Sequence, residues 1–382
     1  MSIRLFALAL MQLWLSVVSA STGPIIPSPP QLSSEAYILM DGRTGKVLAD
    51  HNSGQRLPPA SLTKIMTSYI GALQTQNGLI NLSDEVPISV KAWRMKGSLM
   101  FVQEGTKVRL EDLMRGIIIQ SGNDASVALA EHIAGSEDVF ADLMNKHALR
   151  LGMRNTNFVN ATGWPHEDHY TSAKDLAILT QELIGRFPEH YKIYSEKTFT
   201  FNDISQRNRN TLLFSDQTVD GVKTGHTEAA GYCLVSSSSR DGMRLISVVM
   251  GAASKAIRAQ ESQKLLAYGF RYYDTVELHR ANESIRKARV WNGMHNALNL
   301  GVTEDLLVTV PDGVVGNLSA DLLINSEIRA PILEGQELGK LSVLLDEEEI
   351  LTVPLVALNA VEEAGLLKRF LDSIRLFFVK FF

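Results

Sequence analysis

The sequence predicts an α+β fold: an antiparallel sheet flanked by helices with an adjoining helical block, followed by a small all-β domain and a C-terminal amphipathic helix. Three patterns carry that prediction. EAYILMD and KVLADHN near residue 40, and GYCLVSSSS and MRLISVVMGA near residue 240, read as strands, so both ends of one domain supply a sheet. Between them, residues 110–186 repeat apolar positions at helical spacing, as in LEDLMRGIII and SAKDLAILTQELIG. From about 280 to 360, short strands alternate with turn signals, as in LLVTVPDGV and KLSVLLDEEEILTVPLVAL.

Taken in order, residues 1–20 read as a signal peptide. Arg4 precedes the uncharged run LFALALMQLWLSVV, which leads into Val18-Ser19-Ala20. The run is too short for a good membrane span, so the mature chain is expected to start near Ser21 and to work outside the cytoplasm. Residues 21–33, STGPIIPSPPQLS, read as a linker. GRTG then turns a hairpin; it lacks the spacing of a phosphate loop, and a strand follows it. After Pro58 and Pro59, the residues Leu62, Ile65, Met66, Tyr69, Ile70 and Leu73 mark an amphipathic helix. Arg240-Asp241-Gly242 turns a second hairpin, and a helical run over 256–271 closes the first domain, placed at 34–278. The all-β domain is placed at 279–360 and the amphipathic helix at 361–382.

Composition narrows the function. A length of 382 residues suggests two domains, and a net charge of −5 without a basic cluster in the first 360 residues argues against a nucleic-acid partner. The single cysteine, Cys233, excludes an internal disulfide and reads as a small core residue. A secreted chain without disulfides fits a bacterial envelope, where the N-x-[ST] match Asn160-Ala161-Thr162 carries no meaning for glycosylation. No Cys/His spacing suggests a metal, and no cofactor is expected. His166-Glu167-Asp168-His169 is not a helical metal motif and reads as solvated surface.

The chemistry centres on Ser61-Leu62-Thr63-Lys64. Three residues apart on a helix, Ser61 and Lys64 share a face. A serine hydroxyl needs a base to become a nucleophile. Lysine serves only when neutral, which requires its pKa of about 10.4 to fall by roughly 3 units, about 4 kcal/mol. Burial and a second cation both push that way. The spacing alone is a weak signal, because Ser284-Ile285-Arg286-Lys287 repeats it in a strand-rich region. Two further motifs give it weight: Ser121-Gly122-Asn123 between two apolar helices, and Lys223-Thr224-Gly225 leading into a strand. The three occur in the order known from penicillin-binding proteins and class A β-lactamases.

On these motifs, and on PASLTKIMTSY, GSLMF, RGIIIQSGNDASVALAE, HYTSAKDLAIL, QRNRNTLL, VDGVKTGHTEAAGYCLV and ESQKLLAYGF, the chain resembles the low-molecular-mass penicillin-binding proteins, the serine D-alanyl-D-alanine carboxypeptidases. The resemblance implies a penicillin-binding, β-lactamase-like fold and removal of the terminal D-alanine from peptidoglycan pentapeptides, with β-lactams as acylating ligands. It implies that Ser61 forms the acyl-enzyme and Lys64 takes its proton. Ser121 would relay a proton to the leaving amine, and Asn123 would hold the substrate amide and the lysine. Lys223 and Thr224, followed by Gly225, would serve the substrate carboxylate. The main-chain N–H groups of Ser61 and His226 would form the oxyanion hole, and Arg258 would assist at the terminal carboxylate. Trp164 stands where leucine is common in close relatives, and KAWRMKGSLMF is shorter than the loop of some members; both bear on substrate preference and deacylation. The alternatives are a β-lactamase, a peptidoglycan endopeptidase using the same site, and a non-catalytic penicillin-binding scaffold. Between Asn123 and Lys223 there is no Glu-x-x-x-Asn of the β-lactamase sort, and all three motifs are intact.

The tail, AGLLKRFLDSIRLFFVKFF, has Leu366, Leu367, Phe370, Leu371, Ile374, Phe377, Phe378, Phe381 and Phe382 on one side of a helical wheel. Lys368, Arg369, Asp372, Ser373, Arg375 and Lys380 fall opposite. A net of +3 beside a broad aromatic face predicts a helix lying in the membrane interface, on the outer, periplasmic face of the cytoplasmic membrane.

Overall fold

The structure, a computed structural model, describes residues 26–381. The signal peptide expected over 1–20 and the first residues of the linker lie outside the described residues. The strands expected from both ends of the first domain do meet. Strands β1 (Ala36–Asp41), β2 (Val47–His51), β3 (Val219–Thr227), β4 (Gly231–Arg240) and β5 (Met243–Ala252) form one antiparallel sheet in the order β2-β1-β5-β4-β3. Tyr37 stands opposite Val249 and Leu39 opposite Ser247. Strand β1 is buried along its whole length, which accounts for its unbroken apolar run: both faces of the sheet are covered.

The helices that matter for the site are α1 (Lys64–Gln76), α2 (Asn123–Ala134), α3 (Glu137–Arg150), α4 (Ala173–Arg186) and α5 (Lys255–Tyr272). On one face of the sheet, Ile38, Met40, Val235, Ile246 and Val248 pack with α1 and α4. On the other, Tyr37, Leu39, Leu234, Leu245 and Val249 meet Leu265 and Leu266 of α5. This alternation is the period of two expected of strands. A third cluster joins Leu110, Leu113, Met114 and Ile117 to Ala125, Ala128 and Leu129 of α2. The segment before α2 passes from a short α-helix (Leu110–Arg115) into a π-helical turn (Gly116–Gln120) and then into Ser121, whose φ is +61°. Such widened turns concentrate at functional sites.

The Pro/Ser-rich stretch read as a linker differs from that expectation. Its described part straps across the outer face of the sheet, with Ile26 and Leu32 packed on the α5 cluster. Ser33 donates to Glu261 Oε1 through its N–H (2.6 Å) and its hydroxyl (2.7 Å), and Tyr268 donates to Pro27 O at 3.0 Å. Polar composition concealed a segment whose few apolar residues have a place to go.

Beyond α5 the chain is β-structure: strands 286–289, 297–301, 348–357, 337–345 and 318–324 form an antiparallel sheet in that spatial order. Tyr273–His279 pairs separately with Leu306–Pro311. The two parts are joined through buried Asp41, whose Oδ2 accepts from the hydroxyls of Thr275 and, at 2.9 Å, Thr309. The final helix, α6 (Leu366–Phe381), docks on the β part by its polar side. Asp372 is buried and accepts from Asn292 N–H at 3.1 Å, and Leu376 is buried beside it. Leu366, Leu367, Phe370, Phe377 and Phe378 are exposed.

Candidate active site

Three segments far apart in sequence converge on one amine. Ser61 lies in a 3₁₀ turn (Ala60–Thr63) that runs into α1, so Lys64 opens the α-helix and sits one turn below the serine. Lys64 is 1% exposed. Its Nζ donates to Asn123 Oδ1 at 2.7 Å and to Thr162 O at 2.6 Å, and lies 3.1 Å from Ser61 Oγ. Both oxygens are obligate acceptors, since the Asn123 amide is oriented by Nδ2 donating to Lys96 O at 2.6 Å. A neutral amine has two N–H groups and one lone pair. With both N–H groups so engaged, the lone pair is left facing Ser61 Oγ, the geometry a general base requires. Burial lowers the Lys64 pKa to about 7, helped by the charge of Arg209 and opposed by Asp124 and Glu137.

Each support has a local cause. Asn160 Oδ1 accepts from the N–H groups of Thr162 (3.1 Å), Gly163 (2.8 Å) and Trp164 (3.0 Å), folding the loop that presents Thr162 O to the lysine. Gly163 has a φ of +84°, and a Cβ there would stand 1.7 Å from Ala60 O. Ala60, just before the serine, itself has a φ of +47°. Left-handed non-glycine backbone of this kind persists only where the surroundings enforce it. Enforcement comes from Thr63, which donates to Ala60 O at 2.9 Å, and from His169 Nε2, 2.8 Å from Thr63 Oγ1. Val159 N–H donates to His169 Nδ1 at 3.1 Å, so the proton is on Nε2 and is donated to Thr63. The solvated-surface reading of His166–His169 therefore holds for exposed His166 and fails for His169, which is buried, with its pKa pushed down to about 4 chiefly by burial.

Opposite the serine, β3 carries Lys223, Thr224 and Gly225. Gly225 packs against the 3₁₀ turn, where a Cβ would lie 3.0 Å from Pro59 O. Lys223 is buried, and burial first, then Lys64, Arg209 and Arg258, hold its pKa well below the usual lysine value. Ser121 Oγ is buried without a hydrogen-bond partner among the described residues, free for a ligand. Arg258 is buried on α5; it donates to Gly225 O (2.9 Å) and Cys233 O (3.2 Å). The His226 ring stacks on Tyr232 with centroids 4.0 Å apart. Ser61, Ser121, Thr224, His226, Arg209 and Arg258 line one cleft of about 720 Å³. Ser284 and Lys287, the second copy of the spacing, are exposed near and on an edge strand. Sequence reasoning did not single out Arg209, Asn160, Thr162 or the buried Asp124, which ties Met100, Phe101 and Val102 N–H groups to the start of α2. A polar residue before Gly163, and an acid beside Asn123, were the available signals.

An amine lone pair aimed at a serine in a cation-lined cleft is the arrangement of serine acyl-transfer enzymes. The chain belongs to the D-alanyl-D-alanine carboxypeptidase family, whose model matches residues 24–254; the C-terminal domain of penicillin-binding protein 5 matches residues 273–363. It is 43% identical to D-alanyl-D-alanine carboxypeptidase DacA of Escherichia coli (strain K12), covering 94% of this chain and 91% of that protein. Among solved structures it is similar to penicillin-binding protein 5 from Haemophilus influenzae, with 43% identity, a TM-score of 0.83, and coverage of 88% of this chain and all of that one. Penicillin-binding protein D2 from Listeria monocytogenes in its ampicillin-bound form is 30% identical, with a TM-score of 0.58 and 63% of this chain covered.

Two predictions follow from this geometry. The rate of acylation by penicillin should rise about tenfold per pH unit up to about 7 and level off above it, as the Lys64 amine loses its proton. Removing the neighbouring cation in Arg209→Gln should move that limb to higher pH; stopped-flow acylation across pH reads its position, and an unmoved limb contradicts the coupling. His169→Leu takes away the donor to Thr63 and should slow acylation while substrate KM changes little. His169→Gln, which can donate and accept, should restore most of the rate.

Proposed function

We propose that the chain hydrolyses the terminal D-Ala-D-Ala bond of peptidoglycan pentapeptides through an acyl-enzyme on Ser61. The observation that carries this reading is Lys64 Nζ, 3.1 Å from Ser61 Oγ with Asn123 Oδ1 and Thr162 O taking its other two directions. Lys64 accepts the hydroxyl proton as Ser61 Oγ attacks the penultimate D-Ala carbonyl. The oxyanion is held by the main-chain N–H groups of Ser61 and His226, donors of a kind that contributes several kcal/mol to the transition state. The C–N bond then breaks, Ser121 gives its proton to the leaving amine and takes in exchange the one held by Lys64, which is left neutral again, and D-alanine departs. Water cleaves the ester, returning the hydroxyl to Ser61 and a carboxylate to the peptide. Asn123 holds the substrate amide. The peptide terminus is recognised by Thr224 and by the cations Lys223 and Arg258; an arriving carboxylate offsets the desolvation that lowers Lys223 and favours its charged form. A β-lactam enters the same path, but its amine stays tethered after ring opening and cannot leave.

A labelled penicillin should therefore attach to Ser61, and Ser61→Ala should abolish the label together with D-alanine release from a pentapeptide. Label retained in that variant, or mapped to Ser284, contradicts the assignment.

The chain is further read as an envelope protein held on the outer face of the cytoplasmic membrane by α6. Among the described residues no helix is long and apolar enough to cross a membrane. The exposed Leu366, Leu367, Phe370, Ile374 and Phe378 suit a helix lying in the interface. Attraction of its basic groups to anionic lipid is screened by salt, whereas burial of its apolar face is not. Val361 is buried and pairs with Ile332, so the truncation that spares the β part ends at Gly365. That form should stay in the soluble fraction and remain folded and active on peptides. Full-length protein should resist high salt and yield to detergent; release by salt alone would overturn the interfacial reading.

A further inference from the structure

A second cavity, of about 490 Å³, lies between the C-terminal halves of α1 and α3 and the end of α4. It shares no lining residue with the cleft that holds Ser61, and its size suits a small organic molecule. Part of its wall is apolar, from Leu73, Leu143, Leu151 and the buried ring of Tyr69. One polar group in that wall is buried without a partner. His147 is 7% exposed, and neither of its ring nitrogens has a hydrogen bond among the described residues. Its ring meets Tyr69 edge to face, with centroids 5.9 Å apart. A buried imidazole is ordinarily hydrogen-bonded; one that borders a cavity unpaired offers an N–H to whatever enters.

The surroundings are cationic. Arg150 and Arg186 complete the wall. Arg150 is exposed and makes no salt bridge among the described residues. Arg186 meets Glu182 Oε1 at 3.3 Å through one guanidinium nitrogen, and the Tyr69 hydroxyl donates to the same oxygen at 3.4 Å, so that carboxylate is engaged. Burial first, then Arg150 and Arg186, lower the His147 pKa. Helix C-termini are negative poles, but here their carbonyls are taken. After α1, Leu79 N–H donates to Gln74 O (3.0 Å); after α3, Met153 N–H donates to Ala148 O (2.9 Å). Gly78 and Gly152, with φ of +70° and +78°, turn the chain back for these closures. Two guanidinium groups and an unpaired imidazole therefore face the same space. The planar guanidinium fork matches the oxygens of a carboxylate or a phosphate.

We propose that this cavity is a second binding site, separate from the catalytic cleft, for a small oxyanion carried on an apolar group. Arg150, Arg186 and His147 take the oxyanion, and Leu73, Leu143 and Leu151 take the apolar group. The test is NMR of full-length protein labelled at the histidine ε1 carbons, with the His147 signal assigned by its loss in His147→Gln. Phenyl phosphate and benzoate should each move that signal saturably, and the tighter of the two assigns the oxyanion as a phosphate ester or a carboxylate. Inorganic phosphate and phenol, each with half of the pattern, should bind about tenfold more weakly or less tightly still. Arg150→Gln, a change at an exposed position, should weaken phenyl phosphate about tenfold, the scale of one charge-assisted contact. The His226 signal reports any anion that enters the catalytic cleft instead. A His147 signal that stays still, a shift confined to His226, or a titration unchanged in Arg150→Gln overturns the site. Binding of inorganic phosphate or phenol as tight as that of phenyl phosphate overturns the ligand class.

Discussion

The rest of the site depends on one buried amine meeting three oxygens. The 3₁₀ turn brings Ser61 Oγ, the start of α2 brings Asn123 Oδ1, and the loop after α3 brings Thr162 O. Removing Lys64 from water is costly: a fall in pKa from 10.5 to about 7 corresponds to about 4–5 kcal/mol against folding. The sign is that of a lysine whose folded pKa is depressed. The penalty is full below pH 7 and fades as pH rises toward 10.5. Packing elsewhere in the domain offsets it, and what the fold gains is a base that is neutral near physiological pH.

Most of the unusual local structure around the site serves this meeting. Gly163 is glycine because any side chain would strike Ala60 O, and Ala60 takes a left-handed conformation because Gly163, Thr63 and His169 hold it there. Ser121 is left-handed after a π-helical turn, which leaves its hydroxyl unpaired beside the cleft. Asp124 accepts from three N–H groups of the 100–102 segment and so fixes the chain that runs back to Gly97. The left-handed Ala60 and Ser121 and the close approach at Gly163 thus lie around Lys64, while the sheet strands alternate between two cores.

That division explains what the sequence revealed. The sheet strands and the amphipathic α1 were legible because strand and helix periodicities are local. Ser61, Lys64, Ser121, Asn123 and Lys223 were legible because each motif is short and its chemistry demands particular residue types. The clamp on the serine turn was hidden, since His169 and Thr63 are 106 residues apart. Arg209 was hidden likewise, reaching Ser98 at 2.6 Å across 111 residues. The apolar stripe of α6 was visible on a helical wheel. The burial of Asp372 on its polar side was not, because its partner is a backbone N–H 80 residues away. Composition misled for residues 26–33, where a polar, proline-rich stretch packs as a strap.

The central claim is that Lys64 is a neutral amine in the resting enzyme near physiological pH. It is tested most directly by NMR titration of lysine side chains labelled at the ε-carbon, with the Lys64 signal assigned by its loss in Lys64→Arg. The account predicts that the resonance lost in Lys64→Arg titrates near pH 7; the signal of buried Lys223 is also lowered, and the same assignment tells the two apart. If the Lys64 signal instead stays that of an ammonium group until about pH 10, the typical lysine range, the lone pair does not face Ser61 and the account is contradicted.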